Sequence, residues 1–194
     1  MSIDLTASTQ HVAALLSGVR DEHLTAPTPC GEYTVAALLD HIMGFSSAFT
    51  WIARKQDEGL SDDPPHARAE DLDPRWRELL PGRLTELGEA WRDPAADEGQ
   101  ARAAGVELPR SVWRLVALNE LLVHGWDLAT ATGQPYRTDP AAVAVTVEFM
   151  GQDADDPASR ENNPAFGPIV TVPDDAPAID RAVGLSGRDP GWKP

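Results

Sequence analysis

Leu118–Ala131 reads LNELLVHGWDLATA, a run of helix-forming residues interrupted once, at Gly125. Extended upstream, Trp113, Ala117, Glu120, His124, Asp127 and Ala131 recur at alternating intervals of four and three. That spacing lays all six along one stripe of a helix. A second stripe beside it, Leu115, Leu118, Leu122 and Ala129, is apolar and should face partner helices. Glu120, His124 and Asp127 therefore sit next to surface that folding will bury. A carboxylate and an imidazole taken out of water without partners cost several kcal/mol. A metal ion is the simplest compensation. The alternative is a Glu120–His124 hydrogen bond, one turn apart on a half-exposed face, and this helix alone leaves both open.

Composition bounds the rest. The 194 residues suffice for one domain with a real core and an appended tail. There is no run of eighteen apolar residues and no basic-then-apolar leader, which predicts a soluble protein without signal peptide or membrane span. A formal net charge of −15 argues against a nucleic-acid partner, because phosphates need clustered Lys and Arg. It equally serves ordinary solubility. The single cysteine, Cys30, excludes an internal disulfide framework and suits a reducing cytoplasm. Only two of the sixteen basic residues are Lys, and Ala and Pro are abundant, a bias of GC-rich genomes.

Upstream of the quoted stretch, Val12, Leu15, Leu16 and Val19 predict a first helix from Leu5 to Leu24, capped by Asp4 or Ser2. TAPTPCGEYT (25–34) breaks it, and Thr34 is the expected N-cap of a second helix reaching Lys55 or Glu58. The seam of that helix is Val35, Leu38, Ile42, Phe45, Phe49 and Ile52. His41 flanks the seam, in a row with the small residues Ala37, Gly44 and Ala48, which leave space around its ring. A lone histidine there reads either as a satisfied core residue or as a ligand. GLSDDPPHARAEDLDP (59–74), with His66 and the Asp62–Asp63 pair, reads as solvated loop.

A third helix is predicted from Pro74 to Trp91 or Asp93, with a kink or break at Pro81. DPAADEGQARAAG (93–105) reads as acidic loop and VELP (106–109) as a short extended piece. The helix carrying Glu120 should run from Ser111 to Gly133. DPAAVAVTVEFMGQD (139–153) predicts a further helix with Asp139 as cap and Pro140 at its first position. Residues 151–174 carry no helical period, FGPIVTVP (166–173) reads as an extended strand over the bundle, and a last helix spans Asp175–Leu185 before Gly187.

Four main helices with apolar seams describe an all-α bundle. The expected organisation is residues 1–152 as bundle plus following helix, and 153–194 as a C-terminal extension packed on the same domain. In a bundle, His41 can face Glu120 and His124 across the interior. Two imidazoles and one carboxylate leave coordination positions open, as in a catalytic rather than structural zinc site, and suit nickel or iron nearly as well. Asp127, one turn beyond His124, is the catalytic candidate: it either accepts the imidazole N–H or positions a bound ligand. A surface acid, or a partner for the Arg-bearing tail, is its other reading.

TPCGEYTVAALLDHIMG (28–44), NELLVHGWDLATATGQP (119–135) and FGPIVTVPDDAPAIDRAVGLSGRDPGW (166–192) together resemble the DinB-like metal-binding family. The resemblance is to the branch related to the mycothiol-dependent maleylpyruvate isomerase N-terminal domain, over about residues 5–60 and 105–192. It implies a four-helix bundle of up-down-down-up topology with a divalent metal held by His41, Glu120 and His124. Many relatives have a third histidine where this chain has Glu120, which the mycothiol branch shares. The isomerase has a further C-terminal domain where this chain has its own short tail.

The function so implied is a mycothiol-dependent S-transferase or isomerase acting on a small electrophile, with no membrane partner. Homodimers occur among similar proteins. A hydrolase using metal-activated water, with Asp127 or Glu32 as base, is one alternative. A non-catalytic metal-binding or interaction module is another. Cys30, just before a helix N-terminus, reads as a reactive nucleophile, a fourth ligand, or simply a small apolar residue packing the turn. Arg188 and Trp192 of the tail are placed to close the pocket.

Overall fold

In the computed structural model the residues described are 3–31, 33–63, 66–152 and 167–194. Ser2, Glu32, Phe166 and the expected boundary between residues 152 and 153 lie outside them. Among the described residues the chain forms six α-helices: α1 (Thr6–Leu16), α2 (Val35–Ala53), α3 (Trp76–Ala90), α4 (Arg110–Ala131), α5 (Pro140–Gly151) and α6 (Ala178–Leu185). A hairpin of β1 (Gln100–Ala103) and β2 (Val106–Pro109) precedes α4.

Local chemistry sets most of the ends. Thr34 Oγ1 accepts the Ala37 N–H at 3.3 Å and starts α2, as its side chain predicts. Asp139 accepts from Ala141 N at 3.0 Å ahead of Pro140 and starts α5. Asp4 accepts from Thr6 N at 2.8 Å ahead of α1. At the end of α6, Gly187 N–H bonds Gly184 O at 3.0 Å and Arg188 N–H bonds Val183 O at 2.9 Å. With Gly187 at φ 87°, this is the Schellman arrangement that glycine permits.

Four expectations are corrected. α1 stops at Leu16 rather than Leu24: Gly18 N and Val19 N close tight turns onto Leu15 O and Leu16 O, and Gln134 Nε2 donates to Leu15 O at 3.0 Å. Val19 is nonetheless 3 % exposed, so its apolar spacing reported burial and not helix. Residues 100–103, expected as loop, form an antiparallel strand pairing Gln100 with Pro109 and Ala103 with Val106, so the fold is mostly helical with a small sheet. The hairpin turns on Ala104 and Gly105, both at positive φ, the geometry of a two-residue type I′ turn. Pro81 neither ends nor splits α3. It costs that helix about 3 kcal/mol, which burial of Trp76, Leu80, Leu84 and Leu87 offsets. Residues 167–173 join no sheet; Val170 N donates to Gly184 O instead.

α1 packs on α3 and α4, and α2 packs on α3 and α4, so these four close a ring around Leu38, Ile42, Leu80, Leu84, Leu118 and Leu121. α4 also carries α5, α6 and the hairpin, which Trp113 Nε1 pins by donating to Ala101 O at 3.0 Å. Every residue from Leu121 to Ala129 is accordingly buried, on all sides and not in one stripe. Val35–Ala53 is the one described helix long and apolar enough to cross a bilayer, but 67% of it is buried inside the fold.

Two buried arginines hold the start of α4. Arg110 donates to Ile52 O in the last turn of α2 and to Asp57 Oδ1 at 2.6 Å. Arg114 donates to Asp97 Oδ1 at 2.7 Å, to Trp91 O at 2.6 Å after α3, and to Ile3 O at 3.0 Å. Carbonyls at the ends of α2 and α3 thus gain charged donors. These contacts set the height of α4 against the other helices.

Candidate metal centre

With both helices pinned, the second turn of α2 and the middle of α4 bring three side chains together. His41 Nε2 lies 2.8 Å from Glu120 Oε2, and His124 Nε2 lies 3.2 Å from the same oxygen. The two imidazoles stand edge to face with centroids 4.7 Å apart. Tyr33 and Phe45 flank His41, and Phe45 also stacks on His124. The side chains of His41, Glu120 and His124 keep 10%, 19% and 7% of their surface, so the carboxylate is the most open of the three.

The donor set fits a divalent ion. One ligand atom from each residue lies within 4.8 Å of the others. Two donors on bonds of 2.0–2.1 Å at the tetrahedral angle stand about 3.3 Å apart, close to the two spacings around Oε2. His124 Nδ1 sits 3.0 Å from Asp127 Oδ2, leaving Nε2 directed to the cluster. A histidine ligand commonly has such a carboxylate on its far nitrogen, where it fixes the tautomer and raises basicity.

Charge supports the same reading. Burial works to raise the Glu120 carboxyl, but the His124 charge and hydrogen bonds from both imidazoles outweigh it and hold the group well below the ordinary carboxylate range. Burial works to lower His124, but the Glu120 charge and hydrogen bonds with Asp127, Cys30 and Glu120 outweigh it and raise the imidazole well above its ordinary value. Without a metal, the Glu120 charge thus favours the protonated form of His124. A divalent cation meets the same electrostatic demand by replacing a proton.

The remaining predicted residues fall as follows. Asp127 is fully buried, bonded to His124 and 3.3 Å from Arg188 Nη2. Both expected hydrogen-bond partners of this acid, the imidazole and the tail arginine, are therefore present at once. Cys30 is half-buried; its Sγ accepts from Arg188 Nη2 at 3.1 Å, and it forms a second compact group with His124 and Asp127. Trp192 is half-buried and no described hydrogen bond or ring contact joins its side chain to the site. His66 is exposed, as its loop predicts.

Sequence reasoning missed Tyr136. Its hydroxyl reaches back to α4 and donates to Leu122 O at 3.0 Å, beside the site. Gly125 makes room, since a Cβ there would come 2.4 Å from that hydroxyl. Burial, then the Asp127 charge, raises the Tyr136 phenol. The glycine interrupting the helical run was the only signal. A separate, mostly apolar cavity of about 450 Å³, lined by Leu24, Leu72 and Trp76 among others, shares no residue with the centre.

Comparison with known proteins agrees with this architecture. Residues 5–129 match the model of the mycothiol maleylpyruvate isomerase N-terminal domain. An uncharacterized protein of Mycobacterium tuberculosis, found in two strains, is 28% identical over 177 residues, 91% of either chain. The crystal structure of the mycothiol-dependent maleylpyruvate isomerase shares the fold, with TM-score 0.59 and 18% identity over 75% of this chain and 66% of that one. The family match spans more than half the chain and includes His41, Glu120, His124 and Asp127, and the protein belongs to the mycothiol maleylpyruvate isomerase N-terminal domain family.

Proposed function

We propose that this protein holds a divalent metal, zinc first and nickel or iron next, on His41, Glu120 and His124, and promotes attack of a low-molecular-weight thiol on a small electrophile. The reaction class is S-transfer or isomerisation. Mycothiol is the expected thiol, by analogy with the isomerase whose fold this chain shares. The observation that carries the reading is the convergence of two imidazole nitrogens on one carboxylate oxygen, at 2.8 and 3.2 Å, with Asp127 on the far side of His124.

A bound divalent ion would supply positive charge that favours thiolate over thiol at neutral pH. The chain's own residues do the rest. Glu120, the single anionic donor, leaves a site with a dipositive ion net positive. Asp127 is completely buried and orients His124; in this reading it is a positioning residue and does not touch substrate. Tyr33 and Phe45 set their rings against His41, and Phe45 also against His124, which limits water around these donors. We further read the four-helix ring as the up-down-down-up DinB-like bundle, residues 1–152 as its domain, and 153–194 as an extension packed on it. A cytoplasmic setting suits the single thiol at Cys30 and the thiol chemistry.

The test has two steps. Elemental analysis of purified wild type should find near-stoichiometric zinc or nickel that is absent from His124→Ala. Metal-loaded protein should then conjugate mycothiol to members of a panel of small electrophiles. Metal absent from both proteins, or turnover that needs no thiol, would sink this reading.

A further inference from the structure

The family match ends at residue 129, yet the site's hydrogen bonds continue into the tail. We infer that Arg188 is a positioning residue of the metal centre, holding the Asp127 carboxylate so that its Oδ2 faces His124 Nδ1. The inference rests on the metal reading given above.

The geometry is specific. Asp127 Oδ2 carries both contacts, to His124 Nδ1 at 3.0 Å and to Arg188 Nη2 at 3.3 Å, while Oδ1 is buried with no hydrogen-bond partner among the described residues. Nothing else described selects which oxygen turns to the imidazole. Without Arg188, a fully buried carboxylate would keep one partner and gain freedom to rotate. His124 would then lose the fixed acceptor that keeps its Nδ1 protonated and its Nε2 lone pair directed to the donor set.

Arg188 is itself held through both terminal nitrogens, while its Nε is buried with no hydrogen-bond partner among the described residues. Its side chain is nine-tenths buried, Nη1 donates to Ser186 O at 3.0 Å, and Nη2 also donates to Cys30 Sγ at 3.1 Å. Its backbone is set by the Schellman turn at Gly187, where a Cβ would come 2.7 Å from the Gly167 Cα. One guanidinium thereby joins the tail, the turn before α2 and the C-terminal part of α4. Lysine cannot reproduce this, because a point ammonium lacks the planar fork.

The test measures zinc affinity by competition with a chromophoric chelator, for wild type, Arg188→Gln, Asp127→Asn and the double variant, with His124→Ala as the reference for loss of the site. Removing a partner of this kind weakens metal binding by about tenfold, and that loss is expected for Arg188→Gln in the wild-type background. In the Asp127→Asn background the same substitution should change affinity less than about twofold. In the zinc-loaded protein the His124 Nδ1 proton should resonate downfield in wild type, hydrogen-bonded to Asp127, and move upfield in Arg188→Gln, which a purely structural role of the tail would not produce. If Arg188→Gln fails to fold, Arg188→Lys carries the test, with weakened zinc binding expected despite the retained charge. Wild-type affinity in a folded Arg188 variant, or equal losses in both backgrounds, overturns the inference while leaving the metal site standing. Zinc absent from wild type and His124→Ala alike overturns the metal reading itself, and this inference with it.

Discussion

α4 carries two buried polar clusters, and they differ in how their charges are answered. At its N-terminal turn, Arg110 and Arg114 meet Asp57, Asp97 and the carbonyls of Ile3, Ile52 and Trp91, all supplied by the chain. In its middle, Glu120 meets two imidazoles that can answer it only by carrying a proton or sharing a cation. The first cluster is answered by the chain's own acceptors, and its work is to fix helix ends and register. Of its two guanidinium groups, only Arg114 Nη2 is buried without a hydrogen-bond partner among the described residues. The second is a set of donors converging on one point, and its protonation is what a ligand would replace. Burial is similar in the two, so burial does not separate a structural polar cluster from a functional one. The donor chemistry does.

The comparison breaks if substitutions at the two ends have the same consequences. The largest difference is expected from His124→Ala, which should abolish zinc retention through desalting while the metal-free protein still unfolds cooperatively. Arg114→Ala should do the reverse. Removing one partner of a buried ion pair costs about 3–5 kcal/mol, so its urea midpoint should fall sharply while the folded fraction still binds zinc. Loss of zinc affinity in folded Arg114→Ala would show that the two clusters are not independent.

Zinc itself sharpens the contrast. Free zinc at a hundredfold excess over its Kd should stabilise the wild type by about 2.7 kcal/mol, measured by denaturation with and without chelator. Glu120→Gln should lose that increment, and Arg110→Lys should keep it. Gly125→Ala probes the backbone beside the second cluster, where the added Cβ displaces the Tyr136 hydroxyl. Overpacking of this kind costs about 1–3 kcal/mol, read as a lowered Tm.

The smallest expected effect is a pH dependence confined to the metal-free protein. His124 is raised on folding, so its contribution is present below its ordinary 6.5 and is lost as pH rises through the higher folded value. Glu120 is lowered, so its contribution is present above 4.5 and is lost as pH falls through the depressed value. Stability in chelator should therefore decline above about pH 6.5. Glu120→Gln should flatten that decline, and a slope unchanged by the substitution would remove Glu120 as its cause.

Much of the fold was legible because α2 and α4 state their faces in period. Val35, Leu38, Ile42 and Ile52 are buried as the seam requires, and Thr34, Asp139 and Gly187 mark ends through chemistry that acts within three residues. Glu120, His124 and Asp127 could be grouped from spacing because one helix carries all three. The hairpin was harder. Gln100–Ala103 shows a single inward apolar residue, Ala101, and polar neighbours that read as loop until paired with Val106–Pro109. α1 ended early because Gln134, more than a hundred residues away, takes a carbonyl at its last turn.

The sequence by itself determined which side chains stand on which helix face, since helical period is a local property of the backbone. It also determined the donor types, two imidazoles and a carboxylate, and hence the class of ion they suit. Only the tertiary structure decided that His41 meets Glu120, that Arg188 and Cys30 close on Asp127, and that α4 is buried all round from Leu121 to Ala129. Those facts depend on the height at which helices pack and on where a tail returns. Both are set by long-range contacts, such as Arg114 on Trp91 and Gly187 against Gly167, that no local pattern encodes.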